Sequence, residues 1–318
     1  MSTTNLKTAP YPRPLTSSLH RGWQQLSAPA RVLTIVGLLM FVSAAFHTVV
    51  FLLSDTSWDG PVSWRKPVTF GVSLGLTAVT LALIESRLRL RRWASWALLG
   101  TLAATFVVEE VLVAMQAWRG VPSHFNTATR FDAMVFSAMG MTVMVIVVVI
   151  LALAVLSFTS AKPGTPALTL SIRAGMLLLV AGQFLGAAII AVGEPALAAG
   201  NEAAVFGPHG VVLGAAGILK SPHGVALHAI QVLPLLGWLV QRLDWTDVRR
   251  RRAAWSAAAG YALLLAVSVF QAFTGQAPFA FGIPALLAAL AGAVLIAVPY
   301  AQAGRQLLRT NLGRRTRL

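Results

Sequence analysis

Two neighbouring acids, Glu109 and Glu110, interrupt an apolar stretch that is long enough to cross a bilayer. An acidic residue at the middle of a spanning helix costs about 2.5–3.5 kcal/mol on insertion scales, so the pair needs partners, water or protons. Two histidines, His47 and His228, lie at similar depths in two other apolar stretches. Lys66 begins a further stretch, from which its long side chain can reach toward the acids. These residues predict a polar site inside a membrane protein.

Imidazole and carboxylate groups are the main metal ligands that this chain offers, because it contains no cysteine. We therefore predict that His47 and His228 ligate a b-type haem, or bind a divalent metal ion together with Glu109. Glu109, Glu110 and Lys66 are then the catalytic groups of a membrane redox or metal-dependent enzyme. In the alternative, the two acids bind protons or a cation in a transporter of small solutes. A structural or assembly role is a third hypothesis.

Tryptophan, glycine and proline concentrate in two loops, Trp58–Pro67 and Gln116–Asn126. Glycine and proline fix tight turns, and tryptophan prefers the interface between lipid and water. The polar side chains that we expect to bind a small-molecule ligand at this end are Arg65, Gln116, Arg119, His124 and His223. We expect Lys66 or His124 to close the site above His47, His228 and the acids.

The composition places these residues in a membrane protein, because 57% of the chain is hydrophobic, 11% is charged and the mean hydropathy is +0.73. A spanning helix needs about 20 apolar residues. Eight stretches meet this requirement: 32–54, 67–84, 94–117, 133–158, 170–192, 223–240, 254–274 and 282–303. None alternates between apolar and polar residues as a barrel strand would. The sequence therefore predicts an all-α, polytopic bundle of eight transmembrane helices.

The orientation of the bundle follows from its basic residues, which concentrate on the cytoplasmic side of bacterial membrane proteins. When the eight stretches alternate in direction, twenty of the twenty-five Lys and Arg residues fall on one side. This bias predicts a multi-pass protein of the bacterial inner membrane with both termini in the cytoplasm. It divides the chain into a cytoplasmic tail 1–31, a transmembrane domain 32–303 and a basic cytoplasmic tail 304–318.

The same bias explains the net charge of +15 without a nucleic-acid partner. Basic runs that flank helix ends contact anionic lipid headgroups. We therefore expect membrane lipids as partners, no nucleic acid, and a small-molecule ligand that enters from the periplasmic side. No pattern in the sequence predicts an oligomeric state.

Three other patterns concern packing and loops. The pairs Gly71/Gly75 and Gly182/Gly186 have the Gly-x3-Gly spacing that lets helices approach closely. The same spacing could instead clear space for a flat cofactor. The stretch 203–219 is apolar enough to enter the bilayer as a re-entrant segment.

Three segments also carry a resemblance to a protein family. They are Trp64–Ser73, with the pattern W-R-K-P-x-x-F-x-x-S; Gln116–Asn126, with Q-A-W-R-G-x-P-S-H-F-N; and His223–Ala229, with H-x4-H-A. In these segments the chain resembles a group of uncharacterised bacterial multi-pass inner-membrane proteins. The resemblance implies a polytopic membrane protein and no particular activity.

The predicted orientation is tested by single cysteines in this cysteine-free chain. A cysteine in place of Trp58 should react with a membrane-impermeant maleimide in intact cells, because its loop is predicted to be periplasmic. A cysteine in place of Arg250 should react only after the cells are permeabilised. Labelling of the Arg250 position in intact cells, without labelling of the Trp58 position, would reverse the orientation.

Overall fold

The computed structural model describes residues 22–315, which are mostly helical and contain almost no strand. Within this range, eight helices are long and apolar enough to cross a membrane. They are α1 (Ala28–Leu52), α2 (Arg65–Glu85), α3 (Arg92–Trp118), α4 (Arg130–Thr159), α5 (Pro166–Ala198), α7 (Lys220–Val240), α8 (Asp247–Phe273) and α9 (Ile283–Arg315). A short helix, α6 (Ala203–Phe206), lies between α5 and α7. The prediction of an all-helical bundle with eight spanning helices is confirmed.

The helix boundaries differ from the predicted stretches where local chemistry extends a helix. The α1 helix begins at Ala28 because Ser27 caps it, its side chain accepting a hydrogen bond from the backbone N–H of Ala30. The α9 helix continues to Arg315, so the described part of the predicted tail 304–318 is helical. Its Leu, Gln and Arg residues favour a helix. Most of the predicted tail 1–31, and residues 316–318, lie outside the described residues.

The α1 and α2 helices pack through glycines. A Cβ atom on Gly75 would lie 2.9 Å from the carbonyl oxygen of Gly37, and one on Gly71 would lie 2.7 Å from the carbonyl oxygen of Met40. Backbones approach this closely only where side chains are absent, and van der Waals packing then replaces the hydrophobic effect that lipid does not provide. Gly71 and Gly75 therefore make the predicted close contact, and α1 fills the space suggested for a flat cofactor.

The second glycine pair makes the equivalent contact between α5 and α7. A Cβ atom on Gly182 would lie 3.1 Å from the Cβ of Ala226, and one on Gly186 would lie 2.9 Å from the His223 ring. The α7 helix is broken at His228, where one helical segment ends and the next begins. Two hydrophobic clusters extend from these contacts. One joins α1 to α5, and the other joins α5, α7, α8 and α9.

The segment 199–219 lies across the helix ends. Its only described strands, Val212–Leu213 and Gly217–Ile218, form an antiparallel hairpin. The backbone N–H of Ala216 donates to Gly275, just beyond the end of α8. The segment also packs on the ends of the spanning helices, because Val205, Val211 and Leu219 share a hydrophobic cluster with Ala272 of α8 and Ile189 of α5. The re-entrant segment stays a prediction. We call this end, formed by loops 53–64, 119–129, 199–219 and 274–282, the capped end.

Alanine at Gly71 tests the α1–α2 contact. The added Cβ would press against the Met40 backbone, which cannot rotate away, so the melting temperature of the detergent-solubilised protein should fall. Overpacking of this kind typically costs about 1–3 kcal/mol. The matched control is Gly140→Ala in α4, where nothing lies within 4 Å of the added Cβ. Equal melting temperatures for the two variants, followed by tryptophan fluorescence, would contradict the packing argument.

Candidate functional site

Glu109 and Glu110 are buried inside the bundle on α3, with 1% and 4% of their surface exposed. Because consecutive helical residues point in different directions, the two acids contact different helices. The hydroxyl of Thr142 on α4 donates to Oε1 of Glu109. The hydroxyl of Ser43 on α1 donates to Oε1 of Glu110, with 2.6 Å between the oxygens. In each acid Oε2 is buried and has no hydrogen-bond partner within the described part of the chain.

Neither acid forms an ion pair with a residue that the structure describes. Within residues 22–309, whose side chains are described, no Lys, Arg or His nitrogen lies within 4 Å of a Glu109 or Glu110 oxygen. Lys66, which the sequence suggested as a partner, instead donates to the hydroxyl of Ser123 at a distance of 3.3 Å. The negative charge of an ionised acid here would therefore be uncompensated.

His47 is connected to Glu110 through Ser43. The indole N–H of Trp118 donates to Nε2 of His47 at 3.2 Å, which places the imidazole proton on Nδ1. That Nδ1–H donates to the carbonyl oxygen of Ser43 at 2.9 Å and also lies 3.2 Å from the Ser43 hydroxyl. A continuous series of polar contacts therefore leads from Trp118, whose surface is 57% exposed, through His47 and Ser43 to Glu110.

The predicted haem or metal site is not supported. Among the described residues, no group of three His, Asp or Glu side chains is placed to hold a metal ion, so His47, His228 and Glu109 do not form one. Both ring nitrogens of His47 already have hydrogen-bond partners. The physical reason is helix pairing, because α1 packs mainly on α2 and α3, whereas the first half of α7 packs on α5 and α8. Similar depth in the membrane does not by itself bring residues of different helices together.

His223 is also held within the helix bundle. Its Nδ1 lies 2.7 Å from the carbonyl oxygen of Gly182, so this nitrogen carries the proton and donates to the α5 backbone. The contact places the ring in the space that Gly186 leaves on α5. The structure therefore gives His223 a role in packing α7 against α5, next to its predicted role in ligand binding.

Gln116 and Arg119 bind an acid that was not predicted as a site residue. Arg119 forms an ion pair with Asp132 at 2.5 Å, and the Gln116 amide donates to the same carboxylate oxygen at 3.0 Å. The Thr129 hydroxyl donates to the other oxygen at 2.6 Å. Asp132 is thus fully satisfied, and the cluster fixes both ends of loop 119–129. The Thr129-x-x-Asp132 pattern is a helix-capping signal that the sequence offered.

A cationic cluster occupies the capped end above the acids. Lys66 on α2 donates to Ser123, whose hydroxyl lies 2.9 Å from Nδ1 of His124. His124 lies between the rings of Phe70 and Phe136. Lys220, the first residue of α7, is close enough to Lys66 and His124 for its charge to act on both. Lys220 was not predicted as a site residue, because no sequence pattern near it indicates which loop it contacts.

His124 remains neutral in this setting. Burial and the positive charges of Lys66 and Lys220 lower the pKa of the imidazole to about 3. Arg65 lies at the edge of the cluster, where its guanidinium pairs with Asp59 at 2.6 Å and donates to the Pro208 carbonyl at 3.2 Å. The cluster therefore joins three loops of the capped end through polar contacts.

Comparisons with known proteins give no match: no family model, no curated protein and no solved structure is similar to this chain.

The lowered pKa of His124 predicts how stability depends on pH. Between pH 6.5 and about 3 the unfolded chain binds a proton at His124 that the folded protein does not bind, so stability falls as the pH falls through this range. Replacement of His124 by Gln should make this loss shallower in melting curves recorded from pH 7 to pH 4. His209→Gln, at an exposed position of the same end, is the control and should follow the wild type. Parallel curves for all three proteins would contradict the prediction.

Proposed function

We propose that this protein is a proton-coupled transporter of a small solute in the bacterial inner membrane, and that Glu109 and Glu110 are its proton-binding groups. The observation that carries the proposal is the pair of buried acids, each with one unpartnered oxygen and no cation within ion-pairing distance in the described part of the chain. Acids inside a membrane domain commonly belong to proton relays or substrate paths.

The unpartnered oxygens of the two acids favour bound protons. Burial of an ionised carboxylate without a partner is costly, whereas a bound proton removes the charge and supplies a donor. The hydroxyls of Ser43 and Thr142 hold Oε1 of each acid and leave Oε2 for the proton. Adjacent acids also repel each other when both are ionised, so release of one proton affects the other. This arrangement suits repeated binding and release of protons better than a pair of permanently ionised acids.

The route of the proton is supported by the contacts of His47. Its Nε2 is the acceptor of the Trp118 indole N–H, so movement of this exposed indole would open the imidazole to water. A proton taken up at Nε2 can be matched by release of the Nδ1 proton toward Ser43 and Glu110. In this scheme His47 is a proton carrier between the capped end and Glu110. Trp118 controls the access of water to the imidazole of His47.

The orientation and location in the proposal come from the distribution of basic residues. Twenty of the twenty-five Lys and Arg residues lie on the side opposite the capped end when the helices alternate in direction. We therefore propose that the capped end faces the periplasm and that both termini are cytoplasmic. The enzyme hypothesis is the weaker one, because the described residues contain no group of three His, Asp or Glu side chains placed to hold a metal ion, and both ring nitrogens of His47 already have hydrogen-bond partners.

Removal of the acids tests the proposal. Proteoliposomes that contain a pH-sensitive dye are placed in a more acidic buffer, so that the proton gradient is directed inward. An ultrafiltered cell extract is then added as a mixture of small solutes. The wild type should dissipate the gradient when the extract is added. Glu109→Gln and Glu110→Gln should slow this flux at least about tenfold, because each removes a proton site. Glu202→Gln, at an exposed position of the capped end, is the control and should retain the flux.

Infrared difference spectra of the same proteins provide an independent measurement. A band of the protonated carboxyl group that is lost in both glutamine variants and kept in Glu202→Gln would support proton binding at the pair. A wild-type protein that gives neither this band nor any extract-dependent flux is not a proton-coupled transporter, and the structural or assembly role would replace the proposal.

A further inference from the structure

We propose that Lys66, Lys220 and Arg65 form a binding site for a phosphate group at the capped end. The source of the group is a soluble phosphate compound or the headgroup of an anionic lipid. The argument depends on the cationic cluster and not on the proton-binding acids, so it holds or fails independently of the proposed transport function.

The first observation is an excess of positive charge. The charges of Lys66, Lys220 and Arg65 act on one another across the cluster. The negative charge of Asp59 opposes that of Lys220, but Asp59 is already paired with Arg65 at 2.6 Å. Among the described residues, no carboxylate lies within 4 Å of the ammonium group of Lys66 or Lys220. Two lysines are therefore left without a counterion.

The second observation concerns the two helix ends. Lys66 lies in the first turn of α2, and Lys220 is the first residue of α7. The N-terminal end of a helix carries partial positive charge, which favours anions and disfavours cations. Here two such ends bring lysines toward each other. A bound anion would be attracted both to the lysines and to the two helix ends, and would offset the repulsion between them.

The third observation is that the chain holds Lys220 in place. Gly210 has a φ of +76°, and a Cβ atom at this position would lie 2.8 Å from Nζ of Lys220. Loop 199–219 therefore approaches the ammonium group more closely than a residue with a side chain would allow. Pro208 of the same loop accepts hydrogen bonds from the guanidinium of Arg65 and from the backbone N–H of Gly60. Loop 199–219 therefore contacts both Lys220 and Arg65 and keeps them close together.

His124 and Ser123 add neutral donors to the site. Because the Ser123 oxygen accepts from Lys66, its proton is free to donate to Nδ1 of His124. The neutral imidazole then carries its proton on Nε2, where it is a hydrogen-bond donor. A phosphate group has about −1.5 to −2 charges and several acceptor oxygens near neutral pH. The site offers two lysines, an arginine and neutral donors. This combination matches the charge and the acceptor oxygens of a phosphate group better than those of a single carboxylate.

The test uses the full chain purified in detergent, with inorganic phosphate as the soluble probe. Calorimetric titration, with chloride at matched ionic strength as the reference, should show phosphate binding to the wild type. Lys66→Gln and Lys220→Gln should each weaken it at least about tenfold, because a buried charge contact is lost. Lys162→Gln is the control, since this lysine donates to Ser86 at the opposite end. Lys66→Arg should retain most of the binding.

The lipid source is tested in nanodiscs of phosphatidylcholine with or without phosphatidylglycerol, by counting co-purified lipids with native mass spectrometry. Selective retention of phosphatidylglycerol that both glutamine variants lose would assign the site to a lipid headgroup. Binding of inorganic phosphate alone would assign it to a soluble compound. Should Lys66→Gln not fold, Lys220→Gln decides the outcome. A wild type that binds neither probe, or glutamine variants that bind like the wild type, would overturn the proposal.

Discussion

The constraint on which the rest of the structure depends is the burial of Glu109 and Glu110 in a bundle surrounded by lipid. Each carboxyl group must find polar partners where water is scarce. The chain provides one hydroxyl for each, from Ser43 on α1 and Thr142 on α4, and both helices must therefore lie against α3. Glycine contacts between α1 and α2 hold α1 close enough to do so. The packing of apolar helices therefore brings a hydroxyl partner to each buried acid.

Much of the fold could be predicted because it is local in the chain. Length and hydropathy located all eight spanning helices, and the Gly71/Gly75 spacing predicted a close contact that the structure contains. The burial of Glu109 and Glu110 also followed from their place within an apolar stretch. These features depend on one helix at a time. They require no knowledge of which helices are neighbours.

The errors arose where neighbours had to be known. The predicted metal group of His47, His228 and Glu109 is absent among the described residues, because depth along a helix fixes neither its rotation nor its partner. The α1 helix packs mainly on α2 and α3, and the first half of α7 packs on α5 and α8. Lys220 was missed for the related reason that loop 199–219 folds back over the helix ends. Asp132 differs, because the capping pattern with Thr129 was present in the sequence. That pattern, with Arg119 nearby, could have assigned Arg119 to an internal ion pair.

The structure keeps its acids and its lysines apart although both lie in one bundle. Lys66 is held by Ser123 at the capped end, and the acids are held by Ser43 and Thr142 within the membrane. Mutual neutralisation would have lowered the cost of both groups. It does not occur among the described residues, so each acid and each lysine lacks an opposite charge within ion-pairing distance there. A proton is the simplest partner for a buried acid, and an anion is the simplest partner for paired lysines, so the separation itself favours exchangeable ligands over a permanent internal ion pair.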